Sequence, residues 1–311
     1  MFSKAWKIID LLLTVPTLFS FGSTHIPPLS LIRLYNKCFI LYGKTTRNGK
    51  GTLMDTILYM FGDYATTAMP ETLAMKKYKD STKASGDIAR LNECRLLNIS
   101  EPSQKMVLDS ALLKILLGRD KITARHLNKS EFEFYPKFKL FMNCNHLPII
   151  DDDTVFASGR INVITFDKHF KEHEQDKELK DKLKAENEIS GIFNWCLEGL
   201  EKYDKEKCLK TPKEIEIATA EYEIKNDKIA IFVKKELVKS DTNVTFADVF
   251  KRYCKWCEDN NIASFGKKEL KAKLKRMGIF KDRATVNGKN KTKCNYGLQT
   301  KINRMYKMYK K

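Results

Sequence analysis

The stretch GKTTRNGKGT, residues 43–52, decides the fold because it joins an apolar run to a helical pattern. The run before it, CFILY at 38–42, is typical of a buried strand. After it, leucine, isoleucine and phenylalanine recur at helical spacing up to Phe61. A glycine-containing loop between a strand and a helix N-terminus favours anions through its backbone N–H groups and the helix dipole. The sequence therefore predicts a phosphate-binding loop.

Within this loop, Lys50 is expected on the terminal phosphates, and Gly49 lets the backbone pass close to them. The pattern departs from the usual one in two ways. Five residues separate Gly43 from Gly49, and Gly51 stands where a magnesium-binding hydroxyl is usual. Thr52, one position later, is the best remaining hydroxyl candidate. The alternative is a glycine-containing turn with an exposed lysine.

Further apolar runs predict more strands at 95–99, 138–143 and 161–166, with a helix at 107–117. Strands separated by helices indicate a parallel sheet with crossover connections, and therefore an α/β fold. Alternation in 123–135 predicts a hairpin with Asn128-Lys129-Ser130 near its tip.

Polar residues follow several of these strands. Glu101 ends the apolar stretch RLLNISE at 95–101, and we expect Lys50 and Glu101 to converge on one nucleotide from adjacent strand ends. A carboxylate there can hold magnesium through water and orient an attacking water; Glu93 is a weaker rival. An asparagine at the end of the strand at 138–143 can sense a γ-phosphate by hydrogen bonding while staying neutral. Asn145 is the better candidate, because Asn143 should still lie on the strand. Arg160 could neutralise charge at a neighbouring subunit's site. Each of the three could instead be an ordinary capping or surface residue.

Composition points to a polyanionic partner in a reducing compartment. The net charge is +18, and residues 267–311 hold 16 lysines and arginines against two carboxylates, which leaves +4 for the rest. Eight scattered cysteines fit a cytoplasmic protein, and the pair Cys254 and Cys257 is read as packing rather than zinc binding. The apolar residues 8–22 are interrupted by Asp10 and Pro16, so no membrane association is expected.

Taken together, six stretches resemble the superfamily 3 helicases, specifically the helicase part of phage and plasmid primase-helicases and their poxvirus relatives. The resemblance is strong from about 39 to 195. It implies a P-loop NTPase sheet of AAA+ type with helices on both faces. The matching text is FILYGKTTRNGKGT, FGDYATTAMPE, RLLNISE, LLKILLGRDKITARHL, FKLFMNCNHLP and SGRINVITFDKHF.

The resemblance implies ATP and Mg²⁺ as cofactors, with Thr52 and Glu101 at the metal. It implies Lys50, Glu101, Asn145 and Arg160 as catalytic residues, although relatives often carry two adjacent arginines at the last position. Lys114, Gly118 and Asp120 lie in the motif before the sensor strand. The residues implied to bind the nucleotide are Gly43, Thr46, Asn48, Gly49, Lys50, Gly51 and Thr52.

The same resemblance implies single-stranded DNA or a DNA fork as partner, a homo-hexameric ring with ATP sites between subunits, and primase or other replication proteins nearby. Lys129 is implied near the tip of a DNA-contacting hairpin, with Arg125 and Lys139 as its supports. The alternative for either of these two is an ordinary sheet-face cation. A large upstream region normally precedes this motor, and residues 1–37 do not match it. We therefore expect the chain to be truncated or split.

Five segments are expected along the chain: a leader or connector at 1–37, the ATPase domain at 38–203, a helical linker at 204–227, a winged-helix-like DNA-binding domain at 228–300, and a basic tail at 301–311. Asn287-Gly288 signals a turn, so Lys289, Lys291 and Lys293 should meet DNA phosphates on or near a wing. The expected function is an ATP-dependent DNA helicase of a phage, prophage or plasmid. Alternatives are an impaired remnant that binds DNA without unwinding, and, ranked low, a small-molecule phosphotransferase.

Overall fold

A computed structural model describes residues 37–76, 85–104, 106–118, 120–206, 210–259, 264–286 and 289–298. The chain divides into two compact units, residues 1–223 and 224–311. The expected leader, except for Lys37, and the basic tail at 301–311 lie outside the described residues. The finer domain boundaries stay predictions.

The first unit alternates strands and helices, as the α/β prediction requires. Within the described residues, its first helix begins at Lys50, directly after the glycine-containing loop. Its elements are β1 Cys38–Tyr42, α1 Lys50–Phe61, β2 Ala65–Ala68, α2 Gly86–Ala89, β3 Leu96–Ser100, β4 Val107–Leu108, α3 Ser110–Leu116, β5 Ile122–Arg125, β6 Glu131–Phe134, β7 Lys139–Cys144, β8 Ile149–Ile150, α4 Thr154–Ala157, β9 Ile161–Thr165, α5 Leu179–Lys184, α6 Glu186–Glu206 and α7 Lys213–Asn226.

Five strands form a parallel sheet in the order β2-β3-β7-β1-β9. The prediction of a parallel sheet is confirmed, although β2 had not been predicted. The predicted helix at 107–117 is wrong at its start, because Val107 and Leu108 pair with β8 as a short strand. Asp109 then caps the helix by accepting a hydrogen bond from the Leu112 N–H at 3.0 Å.

Apolar side chains cover both faces of this sheet, so the strands are buried on both sides, as crossover helices demand. On one face α1 and α6 pack over Phe39, Leu41 and Phe141. On the other face, Ile40, Ile99 and Met142 meet residues of α2, α3 and α4 and of the hairpin β5–β6. Tyr222 of α7 also reaches this second cluster.

The hairpin is antiparallel and pairs Arg125 with Glu131 next to its turn. Asn128 in the turn has a positive φ of 57°, which asparagine tolerates better than most residues. This confirms the predicted hairpin and its tip.

The described part of the second unit contains three helices and a three-stranded antiparallel sheet. Its elements are α8 Lys228–Glu236, β10 Leu237–Thr245, α9 Phe246–Asp259, α10 Lys267–Arg276, β11 Phe280–Val286 and β12 Lys289–Leu298, with sheet order β10-β12-β11. Phe232, Tyr253 and Trp256 centre its core. Cys257 is buried in that core, as the packing interpretation predicted, whereas Cys254 is half-buried. The winged-helix assignment itself stays a prediction.

Candidate nucleotide-binding site

The loop of residues 43–49, called the phosphate-binding loop below, presents unused N–H groups. Among the described residues, the backbone amides of 44–49 have no hydrogen-bond acceptor. Gly49 caps α1 with a φ of 88°, a left-handed conformation that suits glycine. Because the positive end of the helix dipole adds to these amides, the loop is built to receive an anion.

Lys50 is buried at the floor of the loop, and its ammonium group contacts three neutral oxygens. The Nζ atom donates to Asn145 Oδ1 at 2.9 Å, to Asn48 Oδ1 at 3.2 Å and to the Gly43 carbonyl at 3.3 Å. Burial lowers the pKa of Lys50 from its ordinary value, while Cys144 and then Glu101 act in the opposite direction. The sequence-predicted lysine and sensor asparagine are therefore in direct contact, 95 residues apart in sequence.

Glu101 directly follows β3, so it lies at the same end of the parallel strands as the loop. It is close enough to Lys50 to act on the pKa of that lysine. Its carboxylate is exposed and has no ion-pair or hydrogen-bond partner in the described part of the chain. Its φ is 54°, a conformation that costs a non-glycine residue about 1 kcal/mol or more. Its N–H donates to the Asn143 carbonyl at 2.8 Å, which holds the residue at the strand end.

One expectation about these two residues needs correction. Lys50 and Glu101 were placed at the ends of adjacent strands, but β7 lies between β1 and β3. Asn145 directly follows this intervening strand and contacts Lys50, so in strand order it falls between the loop and Glu101. Pairing between distant segments sets this order, and no local pattern reveals it.

Two asparagines, Asn98 and Asn143, lie on these strands two or three residues before Asn145 and Glu101. Asn143 Nδ2 donates to Asn98 Oδ1 at 3.3 Å, and Asn98 Nδ2 donates to Ser100 Oγ at 2.8 Å. Asn98 is buried and links β3 to β7, so it holds the strands of Glu101 and Asn145 together. Asn143 thus stays on its strand, and the choice of Asn145 over Asn143 agrees with the geometry around Lys50.

Close packing explains the first glycine of the loop. A Cβ atom on Gly43 would lie 2.2 Å from Asn48 Nδ2, 2.8 Å from the Phe166 carbonyl and 2.9 Å from Lys50 Nζ. A Cβ on Gly51 would meet nothing within 4 Å. The space beside Gly43 is therefore required for the packing of Asn48 and the Lys50 ammonium group, whereas Gly51 faces open surroundings.

The described residues also fit a magnesium ion. Thr52 lies in the first turn of α1, and neither its hydroxyl nor the Glu101 carboxylate has a partner among the described residues. Hydroxyl and carboxylate oxygens are the hard donors that Mg²⁺ prefers, with water and phosphate completing its shell. Thr46 is exposed at the loop surface, and its carbonyl contacts His169 Nδ1 at 2.8 Å.

Arg160 is not brought to this site. It directly precedes β9, and its carbonyl accepts a hydrogen bond from the Cys38 N–H at the start of β1. The strands are parallel and the loop follows β1, so Arg160 lies at the opposite end of the strands. The distance to the loop is about 16 Å, the length of five strand residues. In the described part of the chain the guanidinium has no ion-pair or hydrogen-bond partner.

The remaining predicted residues occupy different places. Lys114 forms an ion pair with Asp152, so one of the three consecutive aspartates has a structural role. Lys129 is exposed at the hairpin tip. Lys139 is only 6% exposed, and burial lowers its pKa to about 8, so it is not a cation on the surface of the sheet. Gly118 and Asp120 follow α3, where the Gly118 N–H donates to the Ile115 carbonyl. The side chains of Lys289, Lys291 and Lys293 lie outside the described residues.

No helix in the described ranges is long and apolar enough to cross a membrane. The same ranges contain no group of three or more His, Cys, Asp or Glu side chains that could hold a metal ion by themselves.

Two family comparisons match separate parts of the chain. Residues 41–160 match a family described as "Family of unknown function (DUF5906)", and residues 224–307 match a family described as "Poxvirus D5 protein-like". The first match contains the loop, Glu101 and Asn145, and the second falls in the C-terminal unit.

Individual relatives are viral proteins. The protein "Putative helicase L207/L206" of Acanthamoeba polyphaga mimivirus is 29% identical over 231 residues, which are 68% of this chain and 24% of that protein. The protein "Putative helicase 022R" of Frog virus 3 (isolate Goorha) is 25% identical over 275 residues, which are 81% of this chain and 28% of that protein. The chain thus spans about a quarter of the length of these curated relatives.

A solved structure shares the fold. The A form apo structure of the NrS-1 C-terminal region matches with a TM-score of 0.51 at 12% sequence identity, covering 96% of this chain and 72% of that one. At this identity the likeness speaks for the fold alone.

Proposed function

We propose, on the premise that this chain is a relative of the poxvirus-type helicases, that it hydrolyses ATP to drive movement along DNA. The observation that carries the proposal is the contact between Lys50 Nζ and Asn145 Oδ1 at 2.9 Å, beside a loop of free amides. Glu101 acts on the same lysine from the third strand. These groups support an anion site, and the carboxylate beside it has no ion-pair or hydrogen-bond partner among the described residues, as ATP hydrolysis requires.

The chemistry follows from the partners that each group has now. Lys50 would exchange its neutral acceptors on Gly43 and Asn48 for phosphate oxygens, which reward the ammonium more strongly. Asn145 stays neutral and can shift its hydrogen bond from the lysine to phosphate. Glu101 can orient an attacking water, because its carboxylate has no competing partner among the described residues. Bound magnesium would neutralise phosphate charge, held by Thr52 directly and by Glu101 through water.

Arg160 serves a different subunit in this proposal. Its guanidinium has no partner in the described ranges and lies at the end of the strands opposite the loop of its own chain, so it can complete only a neighbouring site. A ring of identical chains, with a hexamer as the expected number, would supply that neighbour. Native mass measurement with and without ATP tests this part, and a monomer under both conditions would contradict it.

DNA contacts are proposed at two places. The hairpin tip carries exposed Lys129, and Arg125 lies at the end of its first strand. In the C-terminal unit, helix, strand, two helices and two strands follow in the order of a winged helix, which supports that assignment. Lys289, Lys291 and Lys293 fall on its last strand. Such contacts to phosphates are independent of sequence and sensitive to salt.

The deciding experiment measures ATP hydrolysis by the purified protein with and without single-stranded DNA. We expect DNA to stimulate turnover and Lys50→Ala to abolish it, while Lys205→Ala, an exposed lysine of α6, serves as control. Lys129→Ala should reduce stimulation by DNA and leave the basal rate unchanged. A folded protein with no hydrolysis at saturating ATP and Mg²⁺ would refute the motor.

The second candidate is a protein that binds ATP and DNA without turnover. Gly51, in place of the usual hydroxyl, favours it. Nucleotide binding without hydrolysis, in the same preparation, would decide for this alternative. For the active motor, replication of a viral, phage or plasmid genome in the cytoplasm, beside a primase or other replication proteins, is the setting that we propose.

A further inference from the structure

The segment FDKHF, residues 166–170, directly follows β9 and runs along the outside of the phosphate-binding loop. We call it the brace. The Phe166 N–H donates to the Tyr42 carbonyl at 2.7 Å, and the Phe166 carbonyl accepts from Asn48 Nδ2 at 3.5 Å. His169 Nδ1 lies 2.8 Å from the Thr46 carbonyl, and the Phe170 N–H donates to the Arg47 carbonyl at 2.9 Å. The brace therefore touches the loop along most of its length.

The loop needs such support because its interior contains few glycines. Gly49 is the only glycine between Gly43 and Lys50. Arg47 nevertheless adopts a φ of 55°, which costs a non-glycine residue roughly 1–3 kcal/mol. Conformations of this kind persist only where surrounding contacts determine them. A loop with one residue more than usual also has more freedom to lose.

The brace fixes the direction of the loop amides through the carbonyls on their other side. If the N–H groups of 44–49 face inward, the carbonyls of this stretch must face outward. Three consecutive carbonyls at 45–47 have partners, apart from the Gly49 carbonyl, which accepts from the Leu53 N–H at the start of α1. Thr45 is bonded by Asn48 Nδ2 at 2.6 Å, Thr46 by His169, and Arg47 by the Phe170 N–H. Asn48 is in turn tied to the Phe166 carbonyl, so all three depend on the brace.

His169 is the brace residue whose side chain makes one of these bonds; the contacts of Phe166 and Phe170 are made by their backbone. A carbonyl oxygen only accepts hydrogen bonds, so Nδ1 of His169 must carry the hydrogen. The side chain is otherwise exposed, which excludes a role in the core.

We propose that His169 is a positioning residue for nucleotide binding, which holds the Thr46 carbonyl outward and thereby the neighbouring amides inward. This inference rests on the proposed function, because it concerns the same loop. His169 does not touch the reacting groups, so it should affect affinity for the nucleotide and leave the rate at saturation nearly unchanged.

Three variants test the bond. His169→Leu keeps bulk but removes the donor. His169→Asn restores it, because asparagine Nδ2 stands at the position of the histidine Nδ1. His173→Leu replaces a second exposed histidine, four residues away in the short helical turn 172–174, and serves as matched control. All are made in the full chain, and thermal unfolding verifies that each is folded.

The measurement is titration with a fluorescent ATP analogue and Mg²⁺, followed by steady-state hydrolysis. One hydrogen bond is worth about a 2- to 12-fold change in affinity. We expect His169→Leu to weaken binding and raise KM by that factor, with kcat changed less than about twofold, and His169→Asn to recover most of the loss. His169→Leu binding like wild type, or His169→Asn as weak as His169→Leu, would overturn the proposal. Wild-type protein that binds no analogue would instead overturn the proposed function, and the role of His169 would fall with it.

Discussion

Gly43→Ala offers the sharpest test of the loop geometry, because the added atom has no free space. The new Cβ would stand 2.2 Å from Asn48 Nδ2 and 2.8 Å from the Phe166 carbonyl, both far inside van der Waals contact. The carbonyl belongs to the backbone and cannot turn aside, so the Asn48 side chain must leave. We therefore expect the loop to open around residue 48.

The magnitude follows from the bonds that Asn48 makes. Leaving its place breaks the neutral hydrogen bond to the Thr45 carbonyl at 2.6 Å and the charged bond from Lys50 Nζ at 3.2 Å. Its contacts with the Phe166 carbonyl and the Lys50 N–H, both at 3.5 Å, are long and add little. Such bonds contribute about 0.5–1.5 and about 1.5–3 kcal/mol respectively. The loss of roughly 2–4.5 kcal/mol corresponds to about a 30- to 2000-fold weaker affinity for ATP, because the bound loop depends on the same packing.

The assay is titration of the Gly43→Ala variant with a fluorescent ATP analogue and Mg²⁺, beside Gly51→Ala as matched control. A Cβ at Gly51 meets nothing within 4 Å, and alanine suits the first turn of α1, so this variant should fold at least as well as wild type. Affinity of Gly43→Ala within threefold of wild type would refute the steric argument and the loop conformation on which it depends.

Three further changes have defined outcomes. Thr52→Ala should raise the Mg²⁺ concentration needed for half-maximal hydrolysis by about tenfold, and adding Gly51→Ser should restore it; no change in the Mg²⁺ requirement would remove Thr52 from the metal site. Glu236→Ala breaks the pair with Arg252, whose Nε lies 2.7 Å from the nearly buried carboxylate, and should lower the free energy of unfolding by about 3 kcal/mol in urea, against less than about 0.5 for exposed Glu258→Ala. A loss under about 1 kcal/mol would mean that the pair is unimportant. Burial lowers the pKa of Lys139 to about 8 from 10.5, so the unfolded chain binds the proton more tightly and this residue makes stability rise between about pH 8 and 10.5. Lys139→Met should therefore raise Tm near pH 7.5, with a gain that shrinks towards pH 10; a gain independent of pH would contradict the assignment.

Local patterns were sufficient for most elements of the first unit. The apolar run at 38–42 became β1 with the predicted bounds, because a strand buried on both faces needs apolar residues throughout. The alternation of 123–135 became the hairpin for the same reason of burial, with one face inward. By contrast β2, four residues with only Ala68 buried, carries no apolar run, and it is a strand through its pairing with β3.

The candidate site was predictable residue by residue but not in its arrangement. Three residues could be chosen from the sequence because parallel strands end at the same end of a sheet. Lys50 begins the helix after β1, Glu101 follows β3 and Asn145 follows β7. The order of their strands, with β7 in the middle, could not be chosen. His169 had a signal only as part of the stretch SGRINVITFDKHF, and the partner of its ring could not be read there.

The sequence by itself determined the succession of strand, loop and helix, the polar residues at strand ends and the concentration of positive charge near the C-terminus. Those properties depend on neighbours along the chain, whose spacing fixes which face is buried. Only the tertiary structure decided that Lys50 contacts Asn145, 95 residues away in sequence, and that His169 of the brace contacts the loop across 123 residues. It also decided that Arg160 lies at the end of the strands opposite the loop. Such contacts arise when distant strands pair, and the free energy of that pairing belongs to the whole sheet rather than to any one segment.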